Sequence, residues 1–176
     1  MMLVHLGLGS NEGDRLRQLH LARRALGRLP ATRLEAFSPI YETAPVGPVS
    51  QGAFLNAAAA ILTALDPYEL LDALAGIETR AGRPPRHHRQ KWGPRPLDLD
   101  VLLIGNQVLS TDELVVPHPL MHERWFVLKP LADIAPRAVH PLLEMSIAEL
   151  LSYLPDQPAR VVDPGPGITD GERVDP

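Results

Sequence analysis

The sequence of 176 residues contains no cysteine. This absence excludes disulfide bonds, thiolate metal sites, iron–sulfur clusters and cysteine nucleophiles, and it is consistent with a reducing compartment. Any metal ion must therefore have oxygen or imidazole ligands. The chain also lacks a run of about 18 apolar residues, the length that crosses a bilayer, and it begins without the features of a signal peptide. We expect a cytoplasmic protein that does not bind membranes.

An excess of positive charge is also missing, since the formal net charge is −4. Proteins that bind nucleic acids without sequence preference usually carry an overall basic field, so a basic site here must be local. The composition is 45% hydrophobic and 22% charged, as in ordinary globular proteins. At this length we expect one domain with its own core.

Hydrophobic periodicity and turn residues predict the element order βαββαβ. The first helix begins at Asp14, and the second begins at Asp66, where Asp66 and Glu69 form a capping box. The predicted strands cover residues 3–8, 37–43, 54–65 and 97–104. This order predicts an α+β protein with the ferredoxin-like fold, in which helices cover one face of a four-stranded antiparallel sheet.

Beyond the predicted sheet, the sequence indicates a helical extension and a tail. We expect a short helix around residues 125–132 and a last helix that begins with a capping box of Ser146 and Glu149. The final residues are rich in Pro, Gly and Asp and have almost no apolar periodicity, which predicts a mobile tail. The predicted division is therefore a domain at 1–155 and a flexible tail at 156–176.

Two aspartates interrupt the last predicted strand, where apolar residues are expected. Because residues two apart in a strand point to the same face, Asp98 and Asp100 lie side by side, roughly 6.6 Å apart. Two charges at that distance repel by roughly 2.5 kcal/mol at an effective dielectric constant of about 20, and a divalent cation reverses this effect. Paired carboxylates with phosphate oxygens and water typically bind Mg²⁺. The spacing alone fits a solvated strand equally well.

A basic segment directly precedes the aspartates. Between positions 80 and 95 there is no acidic residue, and six basic residues are present: Arg80, Arg83, Arg86, Arg89, Lys91 and Arg95. Arginine binds phosphate oxygens in a bidentate manner, and a mobile loop can close over a phosphate chain. A solvated loop is the alternative interpretation. The neighbouring clusters of opposite charge favour a polyanion that a metal ion bridges to the carboxylates.

A second strand offers a face for a planar ligand. Phe54 and Asn56 share one side of the predicted strand 54–65, so an aromatic ring lies beside an amide that can bind a donor–acceptor edge. A core phenylalanine next to a hydrogen-bonded asparagine is the alternative. Trp92 is either a packing anchor or a cover for the ligand. His118 lies between two prolines, which suits either a fixed contact or a structural turn.

These segments together resemble one family, the 6-hydroxymethyl-7,8-dihydropterin pyrophosphokinases of folate biosynthesis. The matching segments are LGLGSNEGDR, SPIYETAPVG, FLNAAAAI, IETRAGR, WGPRPLDLDVLLIG and VVPHPLMHERWFVLKPL, and they cover roughly residues 3–135. The WGPR-x-LDLD segment is the most specific of these. The resemblance implies an enzyme that transfers the β,γ-diphosphate of ATP to the pterin hydroxymethyl oxygen and releases AMP. It also implies a monomer.

The resemblance further implies roles for individual residues. Asp98 and Asp100 are implied ligands of two Mg²⁺ ions, and with Arg83 and Arg95 they form the implied catalytic group. The implied ATP-binding residues are Glu78, Arg83, Arg86, Trp92, Arg95, Val101, His118 and Arg124, with Arg89 as the alternative to Arg86. The implied pterin-binding residues are Thr43, Val46, Phe54, Asn56, Trp92 and Phe126. The segment PPRHHRQK is longer than in compact members of the family, and Ala75, Glu113 and Val115 depart from its usual nucleotide pocket.

Other functions explain fewer of these features. A ferredoxin-like nucleic-acid-binding module would use the basic loop 82–95, but its sheet would lack the stacking aromatics and the net charge is negative. A metal-dependent phosphodiesterase would leave Phe54 and Asn56 without a role. A dinucleotide-binding protein is disfavoured because the glycine spacing is GxGxxxG. We therefore expect ATP and the hydroxymethyl pterin as ligands, and neither nucleic acid nor membrane as a partner.

Overall fold

A computed structural model describes residues 1–45, 51–84 and 93–165. One antiparallel sheet forms its centre. Its strands are β1 (Met2–Ser10), β2 (Thr32–Phe37), β3 (Ile40–Thr43), β4 (Phe54–Thr63), β5 (Asp98–Ile104) and β10 (Ala159–Asp163). Their order in the sheet is β10-β3-β4-β1-β5, and β2 also pairs with β4. Two short ribbons pair β6 (Leu109–Ser110) with β7 (Val115–Val116), and β8 (Val139–His140) with β9 (Met145–Ser146).

The helices are α1 (Arg15–Leu26), α2 (Pro67–Arg80), α3 (Trp125–Ile134) and α4 (Ile147–Ser152). Their first turns confirm the predicted caps. The Asp66 carboxylate accepts hydrogen bonds from the first turn of α2, and Glu69 completes the capping box. Ser146 and Glu149 form the same motif at α4, and Asp14 caps α1. Each cap satisfies backbone N–H groups that the helix itself leaves without a partner.

The helices lie on both faces of the sheet. The prediction that helices cover one face applies only to α1 and α2, because α3 and α4 pack on the other face. Alternate residues of β4 face opposite sides, and Ala57 and Ala59 pack with the core beneath α1 and α2. Ala58, between them, joins a second core with Leu128 of α3 and Leu150 of α4. The extension formed by α3 and α4 therefore covers part of the second face, and no other helix among the described residues covers the remainder.

The sheet has six strands rather than the predicted four, because two strands form where one was predicted and β10 adds another. The predicted strand at 37–43 is wrong in its bounds, since β2 ends at Phe37 and β3 begins at Ile40. Pro39 has no N–H for the strand ladder, so it interrupts pairing. Buried Ser38 maintains the link to β4, because its Oγ accepts from the Ala58 N–H at 2.8 Å.

Some residues of the predicted tail form the strand β10. These residues pair with β3 at the edge of the sheet, with Ala159 opposite Thr43 and Arg160 opposite Glu42. A contact of 3.1 Å between Oδ2 of Asp163 and Nε2 of His20 in α1 holds the end of the strand. Residues 166–176 of the predicted tail lie outside the described residues. In the part of the chain that is described, no helix has the length and apolar character needed to cross a membrane.

Candidate active site

Two cavities adjoin along β5. The first, of about 90 Å³, lies on the second face beside β1, β3, β4 and α3. The second, of about 330 Å³, lies at the edge of the sheet between α2, β5 and the segment around β7. Three side chains line both cavities: Asp98, Asp100 and His118. The two aspartates form part of the common wall of the cavities.

Glycines in β1 leave space over the aspartates. Gly9 lies opposite Asp98 and Gly7 lies opposite Asp100 in the antiparallel pairing of β1 with β5. A Cβ atom on Gly9 would lie 3.5 Å from Oδ1 of Asn56 and 3.9 Å from Cβ of Asp98. Without side chains at these positions, β1 forms an open floor between the aspartates and Asn56.

Asp98 is neutralised by two arginines. Its Oδ2 lies 2.7 Å from Nε of Arg95, and its Oδ1 pairs with the guanidinium of Arg83. Arg83 also pairs with Glu78, a buried residue of α2 whose Oε1 accepts from the Leu99 N–H at 2.8 Å. Glu78 therefore fixes both Arg83 and the start of β5. The predicted ATP-binding residues Glu78 and Arg83 contact the predicted metal ligand Asp98 directly.

Asp100 has a different environment. Burial, followed by the negative charge of Asp98, raises the pKa of Asp100 to about 7. Within the described ranges, no hydrogen bond or ion pair joins its carboxylate to another residue. A carboxylate in this environment is stabilised by a cation.

The donor set fits Mg²⁺ that is shared with a phosphate ligand. Asp98 and Asp100 offer carboxylate oxygens on one face of β5, and no group of three His, Asp or Glu side chains suited to a metal occurs among the residues described. Mg²⁺ is usually held by one or two carboxylates together with water and substrate phosphates rather than by a cage of protein ligands.

The first cavity has aromatic and amide groups for a flat heterocycle. Asn56 is buried in β4, and its Nδ2 donates to Oγ1 of Thr43 at 2.8 Å. This hydrogen bond fixes which way the amide points. Phe54 and Phe126 line the same cavity. The guanidinium of Arg95 lies 5.3 Å from the centre of the Phe54 ring.

Cationic and imidazole groups border the same space. Arg124 lines the first cavity, and its guanidinium lies 5.8 Å from the centre of the Phe126 ring. Burial, followed by the positive charge of Arg124, lowers the pKa of His118. Its Nδ1 accepts from the Leu120 N–H at 3.2 Å. Nε2 of the neutral imidazole is therefore the N–H donor that is available to an anion.

Ser10 and Asn11 support the site and were not predicted. The Asn11 Oδ1 accepts from the Arg95 N–H at 2.8 Å, and its own N–H donates to the Arg95 carbonyl at 3.1 Å. Ser10 donates to the Pro96 carbonyl at 2.6 Å. These contacts hold the backbone directly before Asp98. Short-range sequence patterns could not reveal them, because more than 80 residues separate the partners.

Most of the predicted site residues surround these cavities. The first is lined by Thr43, Phe54, Asn56, Arg95, Asp98, Asp100, His118, Arg124 and Phe126. The second is lined by Glu78, Arg83 and Val101, together with the shared residues. Ala75, Glu113 and Val115 also line the second cavity. The predicted residues Val46, Arg86 and Trp92, with the alternative Arg89, lie outside the described residues.

Comparison with known proteins gives consistent matches. A family model described as 7,8-dihydro-6-hydroxymethylpterin-pyrophosphokinase (HPPK) matches residues 5–136. The 2-amino-4-hydroxy-6-hydroxymethyldihydropteridine pyrophosphokinase of Pseudomonas aeruginosa is 50% identical over 133 residues, which are 76% of this chain and 80% of that protein. The Haemophilus influenzae protein of the same name is 40% identical over 156 residues, which are 89% of this chain and 95% of that protein.

Solved structures show a similar fold. A crystal structure of HPPK-DHPS in complex with substrates superposes on 86% of this chain with a TM-score of 0.62 and 15% identity. Plasmodium falciparum HPPK-DHPS with pterin and p-hydroxybenzoate gives a TM-score of 0.64, also at 15% identity and 86% of this chain. This chain spans 43% and 42% of the length of those two chains. At this identity the likeness concerns the fold alone.

Proposed function

Because the chain belongs to the 7,8-dihydro-6-hydroxymethylpterin-pyrophosphokinase family, we propose that its adjoining cavities bind the two substrates of a diphosphate transfer. The β,γ-diphosphate of ATP passes to the hydroxymethyl oxygen of 6-hydroxymethyl-7,8-dihydropterin, and AMP is released. One observation carries this proposal: Asp98 and Asp100 line both cavities. A reaction between two ligands requires such a shared wall.

The pterin occupies the first cavity. The Asn56 amide, fixed by Thr43, binds the polar edge of the ring, and Phe54 and Phe126 provide aromatic surfaces for stacking. Fixed donors and acceptors reject analogues that would leave a buried amide without a partner. Val46 and Trp92 are also proposed as pterin contacts from the family resemblance.

ATP occupies the second cavity and extends toward the first. Val101 and Glu78 line its inner part. The proposed phosphate-binding residues are Arg83, Arg95, His118 and Arg124, with Arg86 and Trp92 from the loop. Arginines bind phosphate oxygens strongly, and the neutral His118 adds an N–H donor without a further charge.

Asp98 and Asp100 would hold two Mg²⁺ ions against the phosphates. When bound, these ions neutralise the triphosphate and make its β-phosphorus more open to attack. The paired carboxylates and the raised pKa of Asp100 support this proposal, because a cation removes their unfavourable proximity.

The transfer forms a bond between the hydroxymethyl oxygen and the β-phosphorus. The bond from that phosphorus to the oxygen bridging the α-phosphate breaks, AMP leaves with this oxygen, and the hydroxyl proton passes to solvent. Arg83 and Arg95 stabilise the moving charge. Their release from Asp98 onto the phosphates would place positive charge where it develops, and such preorganised groups contribute strongly to phosphoryl transfer.

We further propose a ferredoxin-like βαββαβ arrangement, in which β2 and β3 together take the place of the second strand between α1 and β4; the antiparallel strand order supports this proposal. The proposed catalytic unit is residues 1–155, and it functions as a cytoplasmic monomer. We do not retain the nucleic-acid-binding alternative. The sheet face that such a module would use for base stacking carries Asp98 and Asp100, and the family is one of enzymes.

The test follows the phosphorus products by ³¹P NMR. MgATP and the hydroxymethyl dihydropterin should give AMP and a pterin diphosphate in equal amounts. ADP or free phosphate in place of AMP would contradict the assignment. Omission of the pterin provides the control, since AMP should then not form.

A further inference from the structure

The connection between β3 and β4 borders the proposed pterin cavity. Thr43 at the end of β3 lies opposite Phe54 at the start of β4, and both residues line the cavity. The distance between these two strand ends determines whether Thr43, which orients the Asn56 amide, and the Phe54 ring lie beside the same ligand. Whatever holds the two ends together therefore affects the pterin site.

Arg15 holds both strand ends from the first turn of α1. Its Nη2 donates to Oε2 of Glu42 at 2.8 Å, and its Nη1 donates to the carbonyl oxygen of Ala53 at 2.7 Å. Glu42 directly precedes Thr43, and Ala53 directly precedes Phe54. One planar guanidinium thus joins β3 to β4 immediately beside two residues that line the cavity.

The position of Arg15 is not explained by the needs of its helix. Arg15 is the first residue of α1, where the helix dipole disfavours positive charge, and the first turn has no acidic residue. An arginine here gains stability from its partners instead. Its side chain is only 31% exposed, and that of Glu42 is 24% exposed.

Glu42 also joins the edge of the sheet. Its Oε1 lies 3.2 Å from Nη2 of Arg160 in β10. The Arg160 side chain is 74% exposed and pairs with Glu42 of β3. Arg15 instead bonds both to Glu42 and to the Ala53 carbonyl, which directly precedes β4. The Arg15 contacts therefore constrain the position of β3 relative to β4, whereas the Arg160 contact joins β3 to β10.

We propose that Arg15 is a positioning residue for the pterin, acting through Glu42 and the Ala53 carbonyl on Thr43 and Phe54. This inference rests on the proposed function, because it concerns the site assigned to the pterin. The fork of a guanidinium makes two bonds in fixed directions, so it sets the relative position of the two strand ends. Nucleotide binding in the second cavity does not depend on this contact.

The experiment compares Arg15→Met with Arg17→Met, an exposed arginine in the same turn of α1. Fluorescence titration gives the dissociation constant of the pterin in the presence of Mg²⁺ and a non-hydrolysable ATP analogue, and the constant of the analogue alone. For Arg15→Met we expect about tenfold weaker pterin binding, equivalent to the loss of one or two hydrogen bonds, and nucleotide binding within about twofold of wild type. Arg17→Met should match wild type in both.

Glu42→Gln provides a second variant if Arg15→Met does not fold. It removes the charge but retains an acceptor, so pterin binding should weaken less than in Arg15→Met and in the same selective way. Unchanged pterin affinity, or equal weakening of both ligands, would overturn the inference. Turnover separates the two proposals: wild type that binds pterin but forms no AMP contradicts the proposed reaction, and the Arg15 comparison remains valid.

Discussion

Arg83 and Asp98 form an ion pair at the boundary between the two cavities, and Arg95 pairs with the other oxygen of Asp98. Arginines thus pair with the carboxylate that is proposed to bind metal. Mg²⁺ alone must compete with them, whereas the phosphates of ATP attract both arginines and metal. Metal binding should therefore depend on nucleotide.

Replacing Arg83 tests this competition. In Arg83→Met, we expect Mn²⁺ to bind without nucleotide about tenfold more tightly than in wild type, because one competing positive charge is absent. With a non-hydrolysable ATP analogue present, Arg83→Met should bind Mn²⁺ more weakly than wild type, because the phosphates lose their contact with Arg83. Electron paramagnetic resonance of free Mn²⁺ measures both affinities.

Arg80→Met is the matched control, because Arg80 ends α2 on the exposed surface. It should bind Mn²⁺ as wild type does under both conditions. If Arg83→Met and wild type bind Mn²⁺ equally without nucleotide, Arg83 does not restrict access to the metal site.

Neutralising Asp100 should abolish most of the activity but preserve the fold. Asp100→Asn retains the size of the side chain and removes a charged ligand, so we expect AMP formation to fall at least about 100-fold. Asp98→Asn should have a similar effect on turnover, but it also leaves Arg83 and Arg95 without their counter-charge. Initial rates of AMP release at saturating substrates measure the loss.

Asp112→Asn makes the same change at an exposed acidic residue and should retain wild-type rates. Thermal unfolding of the three variants separates chemistry from stability. An Asp100→Asn protein with more than a tenth of wild-type activity would contradict the metal-binding role.

The hydrogen bond between Asn56 and Thr43 should control pterin affinity. In Thr43→Val the buried Asn56 amide loses its acceptor and its fixed orientation. We expect the KM for the pterin to rise about tenfold while the KM for ATP changes less than about twofold. Steady-state kinetics with each substrate varied in turn provide the measurement.

Thr79→Val serves as control, since Thr79 donates only to the Ala75 carbonyl within α2. A parallel rise in both KM values for Thr43→Val would indicate a general disturbance of the sheet. An unchanged pterin KM would show that the amide does not bind the ring.

Local sequence patterns predicted the parts of this molecule that depend on neighbours in the chain. The capping box of Asp66 and Glu69 requires contacts over three residues, and the alternation in β5 places Asp98 and Asp100 on one face. Local patterns singled out Asn56 and His118 separately, and only the family resemblance assigned both residues to one site. These residues lie around the same cavity in the structure.

The missed features depend on contacts between distant parts of the chain. The role of Gly9 follows from its register with Asp98, and the strand β10 follows from pairing with β3 across more than 100 residues. A short segment such as ARVVD is indistinguishable from a tail until an open sheet edge is present. The contacts of Arg15 with Glu42 and the Ala53 carbonyl could likewise be predicted only if the ends of β3 and β4 were known.

Buried His5 should make stability depend on pH between about 4 and the ordinary histidine value. Burial lowers the pKa of His5 from 6.5 to about 4, and its Nδ1 has no hydrogen-bond partner within the described residues. The folded protein therefore binds fewer protons than the unfolded chain in this range. The stability contributed by neutral His5 is present above pH 6.5 and is lost as the pH falls toward 4.

His5→Leu removes this contribution to the pH dependence. Between pH 6.5 and 4 the wild type should lose about 3 kcal/mol more unfolding free energy than the variant, as the size of the pKa shift implies. Urea unfolding at a series of pH values measures the difference, and comparison with the variant cancels the titration of the carboxylates. Equal slopes for His5→Leu and wild type would mean that His5 has the same pKa in the folded protein as in the unfolded chain, which its buried position opposite Ala60 and Leu103 in the sheet opposes.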